Sequence, residues 1–295
     1  MNTCPWCGSE HGVSYLKLKD YFLSQESFEI LECPNCRLLY TTPRPEPDRI
    51  GEYYKSEKYY SHQENTKGFI PRLYESVKKV NLSNKVSMTF SQLNSESGSI
   101  CDYGCGVGDF LKSVKETHPN WNLTAVEPSL DAQVIVSKRL GITPLDLNQL
   151  SEIHENQFDI FTMWHVFEHV DKLRDHVSFL TRCIKSQGRL VIAVPNFQSY
   201  DAQFYKDKWA AYDVPRHLNH FCPDSIRSIF CETPFELIDI QPLKWDSYYI
   251  SFMSEQYLNH SLPLVRGAFR GAISNSKARK SGNYSSLVYI FKLNK

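Results

Sequence analysis

The stretch ICDYGCGVGDF, Ile100 to Phe110, decides the fold. Its first residues continue an apolar run, SICDYG, that reads as a buried strand, and DFLKSVKETH after it reads as a helix. Between them stand Gly104, Gly106 and Gly108, which permit a sharp turn and let a ligand lie against bare backbone. About 20 residues on, the next strand, NLTAVEP, ends in Glu127, placed where an acid takes both ribose hydroxyls of a nucleoside. The G-x-G-x-G spacing, in place of G-x-G-x-x-G, disfavours a dinucleotide whose pyrophosphate needs the helix N-terminus. Asp102, before the first glycine, adds an acid suited to a cationic ligand rather than to phosphate.

Working outward, the alternation continues. LDAQVIVSKRLG is a helix ended by Gly141, ITPLDL a short strand, and FDIFTMW a strand. DKLRDHVSFLTRCIKSQG is a helix ended by Gly188, and RLVIAVPN a strong strand. PDSIRSIFCE, FELIDIQPL and SSLVYIFKL follow as helix, strand and strand, with an irregular tyrosine-rich stretch before the last. Strands alternating with helices at this spacing predict an α/β, doubly wound, Rossmann-like sheet. Upstream, PRPEPD (Pro43 to Asp48) is an extended, non-helical connection, and a helix is expected from about Ile70 to Leu93.

The chain of 295 residues is long enough for one sizeable α/β domain and a small module. Lys plus Arg number 33 and Asp plus Glu 33, without the basic excess that phosphate neutralisation gives a dedicated nucleic-acid binder. No apolar run approaches the ~18 residues of a membrane span. The N-terminus MNTCPWCGSE lacks a secretory layout, and nine cysteines form an odd set, so a reducing, cytoplasmic setting is expected.

Two knuckles, Cys4-Pro-Trp-Cys7 and Cys33-Pro-Asn-Cys36, group four thiolates two and two, as tetrahedral structural zinc requires. A segment of about 40 residues has little core of its own, so a metal staple makes physical sense. Cys101, Cys105, Cys183, Cys222 and Cys231 have no ligand spacing and read as small buried hydrophobes.

ICDYGCGVGDF, AVEP and FDIFTMWHVFEHV together resemble the successive signature segments of class I S-adenosylmethionine-dependent methyltransferases. The subgroup that carries EHV after the fourth strand, typified by quinone-biosynthesis O-methyltransferases, is nearest in shape. The cysteine pairs also resemble the zinc-binding heads of bacterial sugar methyltransferases, and another zinc-headed group methylates ribosomal RNA. The resemblance implies a seven-stranded sheet and S-adenosylmethionine as cofactor. It implies that Gly104 and Gly106 line the methionine part, with Asp102 near its ammonium and Glu127 on the ribose. Asp146 would lie near the adenine, or act as an ordinary cap, and Met163 to His165 would face the sulfonium region.

HVFEH, His165 to His169, also fits the H-x-x-E-H zinc pattern of some peptidases. That reading needs both histidines inside one helix, and the strand FDIFTMW ends one residue before His165, so it is set aside. Three roles stay open. His169 is a general base, or Glu168 and His169 hold a divalent ion, or both brace the loop. The long aromatic segment 196–223 is expected to cap the site. In it Arg216 and Tyr212 are candidate acceptor contacts, and His217 and His220 candidate bases, with simple anchoring of the cap as the alternative. Tyr53, Tyr54, Tyr59 and Tyr60 either close the pocket or pack the linker.

The expected organisation is a zinc ribbon over 1–42, a linker and helical cap over 43–98, and a methyltransferase domain over 99–295 with cap segments 196–223 and 244–282. The expected reaction is O-methylation of a small sugar or quinol-like acceptor. An RNA methyltransferase gripping RNA by the ribbon, and a non-catalytic cofactor-binding protein, are the alternatives. Oligomeric state is not readable from the sequence.

Overall fold

The computed structural model describes residues 3–46, 49–54, 69–91, 93 and 95–295, without the side chains of 69–77. Its main sheet has six strands in the order β5-β4-β6-β7-β10-β9. These are β4 (Gly98–Tyr103), β5 (Trp121–Val126), β6 (Phe158–Trp164), β7 (Ile184–Pro195), β9 (Phe235–Pro242) and β10 (Ser286–Leu293). The first four run parallel, whereas β10 lies antiparallel to both β7 and β9. The central strands are buried on both faces, as crossover helices require, and so read as continuous apolar runs: Ile160, Phe161, Leu190, Val191, Ile192 and Ala193 are fully covered.

The seventh strand expected from ITPLDL is reduced to one parallel bridge, Val126↔Leu145. Pro144 offers no N–H to a ladder, and Asp146 at once caps the short 3-10 turn Leu147–Glu152. The crossover helices are α2 (Asp109–Thr117), α3 (Leu130–Leu140) and α4 (Leu173–Cys183), after α1 (Phe69–Phe90). Gly141 ends α3 in the left-handed conformation, as expected. Gly188, in contrast, does not end α4, which stops at Cys183. IKSQG opens β7 instead, as a bulge that skips from Phe158↔Ile184 to Ile160↔Arg189. A side chain at Gly188 would meet the carbonyls of Lys185 and Asp159, so the bulge needs glycine.

After β7 come α5 (Tyr200–Tyr205), the short strand β8 (Asn219–His220) and α6 (Pro223–Phe230). The tyrosine-rich stretch is regular after all, forming an α7 (Asp246–Tyr257) and α8 (Pro263–Ser281) hairpin. Small residues make this interface. Gly267 and Gly271 lie against Phe252 and Tyr248 so closely that a Cβ would fall 2.6 and 2.8 Å from their backbones. Such a seam leaves no apolar periodicity to read. Among the described residues, no helix is long and apolar enough to cross a membrane.

The N-terminal head is a second sheet, β1 (Val13–Lys19), β2 (Ser27–Glu32) and β3 (Leu39–Thr42), all antiparallel. Its fourth strand comes from far along the chain: β8 pairs with β3 through Leu39↔His220 and Tyr40↔Asn219. Head and cap therefore share one sheet. Arg174 seals the other side, donating to the Trp6 carbonyl at 3.1 Å and lying over its ring.

Candidate active site

The glycine turn after β4 is built by backbone hydrogen bonds. The amides of Gly104 and Cys105 donate to the Val126 carbonyl, and Gly104, Gly106 and Gly108 all have positive φ. Gly104 is a contact position, because a Cβ there would stand 2.5 Å from Val166, whereas at Gly106 it would meet nothing within 4 Å. The open face of Gly106 adjoins Glu127, whose Oε2 accepts the Gly106 amide at 2.8 Å and Oε1 the Ser129 amide at 2.9 Å. Asp146, at the end of the adjoining bridge, uses Oδ1 to cap Asn148 and Gln149, so the capping alternative is realised.

Asp102 is buried and accepts the Thr162 hydroxyl at 2.6 Å. Burial pushes its carboxyl up to about 7, against the opposing pull of that hydrogen bond and of the Lys85 ammonium. Lys85, from α1, lies 4.7 Å from the centre of the Trp164 ring. Sequence reasoning placed Met163 at the cofactor, but Met163 is fully buried in the core. Strand alternation turns Thr162 and Trp164 to the side of Asp102 and Lys85 instead. Trp164 belongs to the segment Met163 to His165 expected there, whereas Lys85 had no spacing signal.

His165 takes a left-handed φ of 58° just past β6. Its Nε2 is 2.9 Å from Asp246 Oδ2, and its Nδ1 is 3.4 Å from Glu168 Oε1. Burial disfavours the charge, but Asp246 and then Glu168 outweigh it and raise the imidazole to about 9, so it is an imidazolium at neutral pH. Asp246 opens α7, 81 residues away in sequence, and was missed.

Glu168 is 1% exposed, and neither carboxylate oxygen receives a hydrogen bond among the described residues. His165 and the neighbouring histidines hold its pKa low against the cost of burial. Ligand atoms of Glu168, His169 and His217 lie within 4.8 Å of one another, and the two rings meet edge to face at 4.7 Å. His169 Nδ1 faces the Arg216 carbonyl at 2.9 Å, with the Tyr54 hydroxyl equally near. His217 Nδ1 faces the Ala211 carbonyl at 2.9 Å. A carbonyl accepts only, so each Nδ1 carries the proton and each Nε2 keeps its lone pair. Burial, then the neighbouring His217, lowers His169 to about 4. Phe197, Trp209, Ala211, Asn219 and His220 line the small cavity beside Glu168 and His217.

Three cap residues do not do what the sequence suggested. Arg216, expected to meet the acceptor, is 1% exposed, and its guanidinium is fully spent on Asp20, Asp213 and the Tyr53 carbonyl. His220, a candidate base, lines the cavity but ties its Nε2 to Thr41 Oγ1 at 3.0 Å. Thr41 already donates to the His217 carbonyl, so His220 carries the proton on Nε2. Tyr212, a candidate acceptor contact, is buried among Trp209, Val214 and Tyr205. Of the tyrosines, Tyr53 is buried and bonded to Glu26, Tyr54 reaches His169, and Tyr59 and Tyr60 lie outside the described residues.

In the head the four thiols converge, with Cys4 Sγ 3.5 Å from Cys36 Sγ and Cys7 Sγ 3.4 Å from Cys33 Sγ. Ligand edges of about 3.8 Å follow from Zn–S bonds of ~2.3 Å in a tetrahedron, so the donor set fits that ion. Cys101, Cys105, Cys183 and Cys222 are buried as expected, whereas Cys231 is exposed.

A family model described as a methyltransferase domain matches residues 78–240, more than half of the chain. The chain therefore belongs to the methyltransferase-domain family, with the fold of S-adenosylmethionine-dependent methyltransferases. It is similar to the mitochondrial ubiquinone biosynthesis O-methyltransferase of Schizosaccharomyces pombe, 32% identical over 35% of this chain and 40% of that one. The protein of the same name from Dictyostelium discoideum is 25% identical over 60% of this chain and 64% of that one. The chain thus matches less than two thirds of either relative. Among solved structures, geranyl diphosphate C-methyltransferase from Streptomyces coelicolor shares the fold, with a TM-score of 0.50 at 13% identity, covering 72% of this chain and 77% of that one.

Proposed function

We propose that this protein transfers the methyl group of S-adenosylmethionine to a hydroxyl oxygen of a small molecule, of quinol or sugar type. The observation that carries the reading is the pair His169 and His217, each with Nδ1–H tied to a carbonyl and Nε2 left as a lone pair, clustered with the Glu168 carboxylate. On the cofactor side, Gly104 and Gly106 form the floor, Glu127 takes the ribose, and Asp102 and Lys85 face the ammonium and carboxylate of the methionine. His165 closes the sulfonium end through its ion pair with Asp246. A pKa near 4 makes His169 a poor base at neutral pH, so His217 Nε2 takes the acceptor proton as the oxygen attacks the methyl carbon. The electrons of the broken S–C bond remain on sulfur, leaving S-adenosylhomocysteine. The relatives' printed activity supports oxygen as the acceptor atom.

The Glu168 carboxylate, buried without a hydrogen bond among the described residues and met by the His165 Nδ1 at 3.4 Å, favours a second reading of the same cluster: Glu168, His169 and His217 hold a divalent cation that acidifies the acceptor hydroxyl. In either case a zinc ion held by Cys4, Cys7, Cys33 and Cys36 staples the head.

Calorimetric titration of S-adenosylhomocysteine into zinc-loaded protein, beside Glu127→Ala, tests the cofactor assignment. Binding by the parent and its loss in the variant support it, and silence from both removes it. With hydroxylated acceptors, turnover abolished by EDTA and restored by Mn²⁺, with the head zinc retained, selects the cation reading. Turnover indifferent to chelator selects the base.

A further inference from the structure

The balanced composition conceals a one-sided end. From Gln256 to Lys295 the chain has seven Lys or Arg and no Asp or Glu, although it has 33 acidic residues in all. Five of these cations, Arg266, Arg270, Lys277, Arg279 and Lys280, lie on α8. The helix buries only a stripe of small residues, Gly267, Gly271, Ser274 and Ala278, against the fold. Its outward side begins with large apolar residues left in water: Leu262 is 69% exposed, Leu264 54%, Val265 62% and Phe269 64%. Val265 and Phe269, four residues apart, share one face and form a ridge with Leu264. Arg270 and Lys277 stack over Phe204 and Tyr200 of α5, which keeps their charge beside this ridge, and Arg279 and Lys280 extend it along the last turn.

We infer that α8 is a docking surface for an anionic lipid bilayer, lying in the headgroup layer with Leu262, Leu264, Val265 and Phe269 as its apolar edge. A helix with an apolar edge, a cationic flank and no acid is what the interface of an anionic bilayer recruits. A second copy of the chain fits worse, because Arg266 is paired with Glu255 but Arg270, Lys277, Arg279 and Lys280 have no acid on the helix to offset them, and such a face repels itself. Nucleic acid fits worse too, because phosphate contacts are made by cations and polar groups and leave four large aliphatic and aromatic side chains without use. The inference goes beyond the proposed reaction and does not rest on it.

The test is sedimentation of the whole zinc-loaded protein with vesicles of phosphatidylcholine alone, or with about one-third phosphatidylglycerol, at low and high salt. Anionic vesicles are expected to bind at least about tenfold better than neutral ones and to release the protein at high salt. Val265→Glu with Phe269→Glu, and separately Arg279→Gln with Lys280→Gln, are each expected to weaken binding about tenfold or more. These four positions make no described hydrogen bond or ion pair beyond the helix backbone, so both variants keep the fold, as unchanged circular dichroism melting would verify. Equal binding to both vesicle types, binding to neither, a dimer that Phe269→Glu dissociates without any vesicle binding, or tighter retention by RNA than by vesicles would each overturn the inference.

Discussion

The two halves of the proposed site, one for the cofactor and one for the acceptor, are held in different ways. The cofactor half is local: β4, the glycine turn and Glu127 lie within 30 residues, and main-chain amides fix them. The acceptor half is assembled from the end of β6, the loop 210–220, the first turn of α7 and the head, and ion pairs and long-range hydrogen bonds hold it. Thr41 of the head and Arg44 just after it grip the carbonyls of His217 and Leu218, and Asp20 anchors Arg216. The first half should therefore survive damage that ruins the second.

The sharpest way to break that contrast is Arg216→Ala. It strands Asp20, which is fully buried, without its partner, at a cost of about 3–5 kcal/mol in denaturant unfolding. If any folded fraction remains, it should still bind S-adenosylhomocysteine. Next comes His217→Ala, expected to lower methyl transfer by roughly 10²–10⁴-fold with cofactor affinity unchanged. A matching loss of cofactor affinity would merge the two halves.

Glu127→Ala is the converse case. It removes the acceptor of two backbone amides and, on the proposed reading, the partner of the ribose, so S-adenosylhomocysteine affinity should drop about 10–100-fold by calorimetry. The acceptor half should stay folded, with the His165–Asp246 pair intact by NMR.

The smallest effect is a proton. Asp102 sits near 7 without ligand, and an ammonium beside it favours the ionised form. Binding at pH 6 should then release up to one proton, visible as a buffer-dependent heat, and affinity should fall severalfold from pH 7 to 6. The sign follows from a raised carboxyl: the ligand-free fold holds the proton below about 7 and gives it up on binding. Asp102→Asn should remove the buffer dependence.

What could be read in the sequence follows the same division. The turn, Glu127 and both cysteine pairs carry fixed spacings set by local geometry, and they lie where the spacings placed them. Lys85 and Asp246 reach the site from separate elements, and no spacing links them. Arg216 misled because a guanidinium in an aromatic loop reads the same whether it faces an acceptor or a buried aspartate. His220 misled for a like reason, since only the β3–β8 pairing shows that its Nε2 is taken. The α7–α8 hairpin was unreadable because glycine and serine, rather than a leucine stripe, make its seam.

The strand β8 that completes the head's sheet also has a meaning in time. Thr41 leaves the ribosome 176 residues before the His217 whose carbonyl it will hold. At about 5–20 residues per second that is a wait of roughly 10–35 seconds. Throughout it β3 is an open edge, inviting strands from neighbouring chains. Early capture of zinc by the four cysteines would keep that edge on a compact scaffold while the rest of the protein is made. Growth without available zinc should therefore show itself first as aggregation of nascent chains, ahead of any loss in the finished protein.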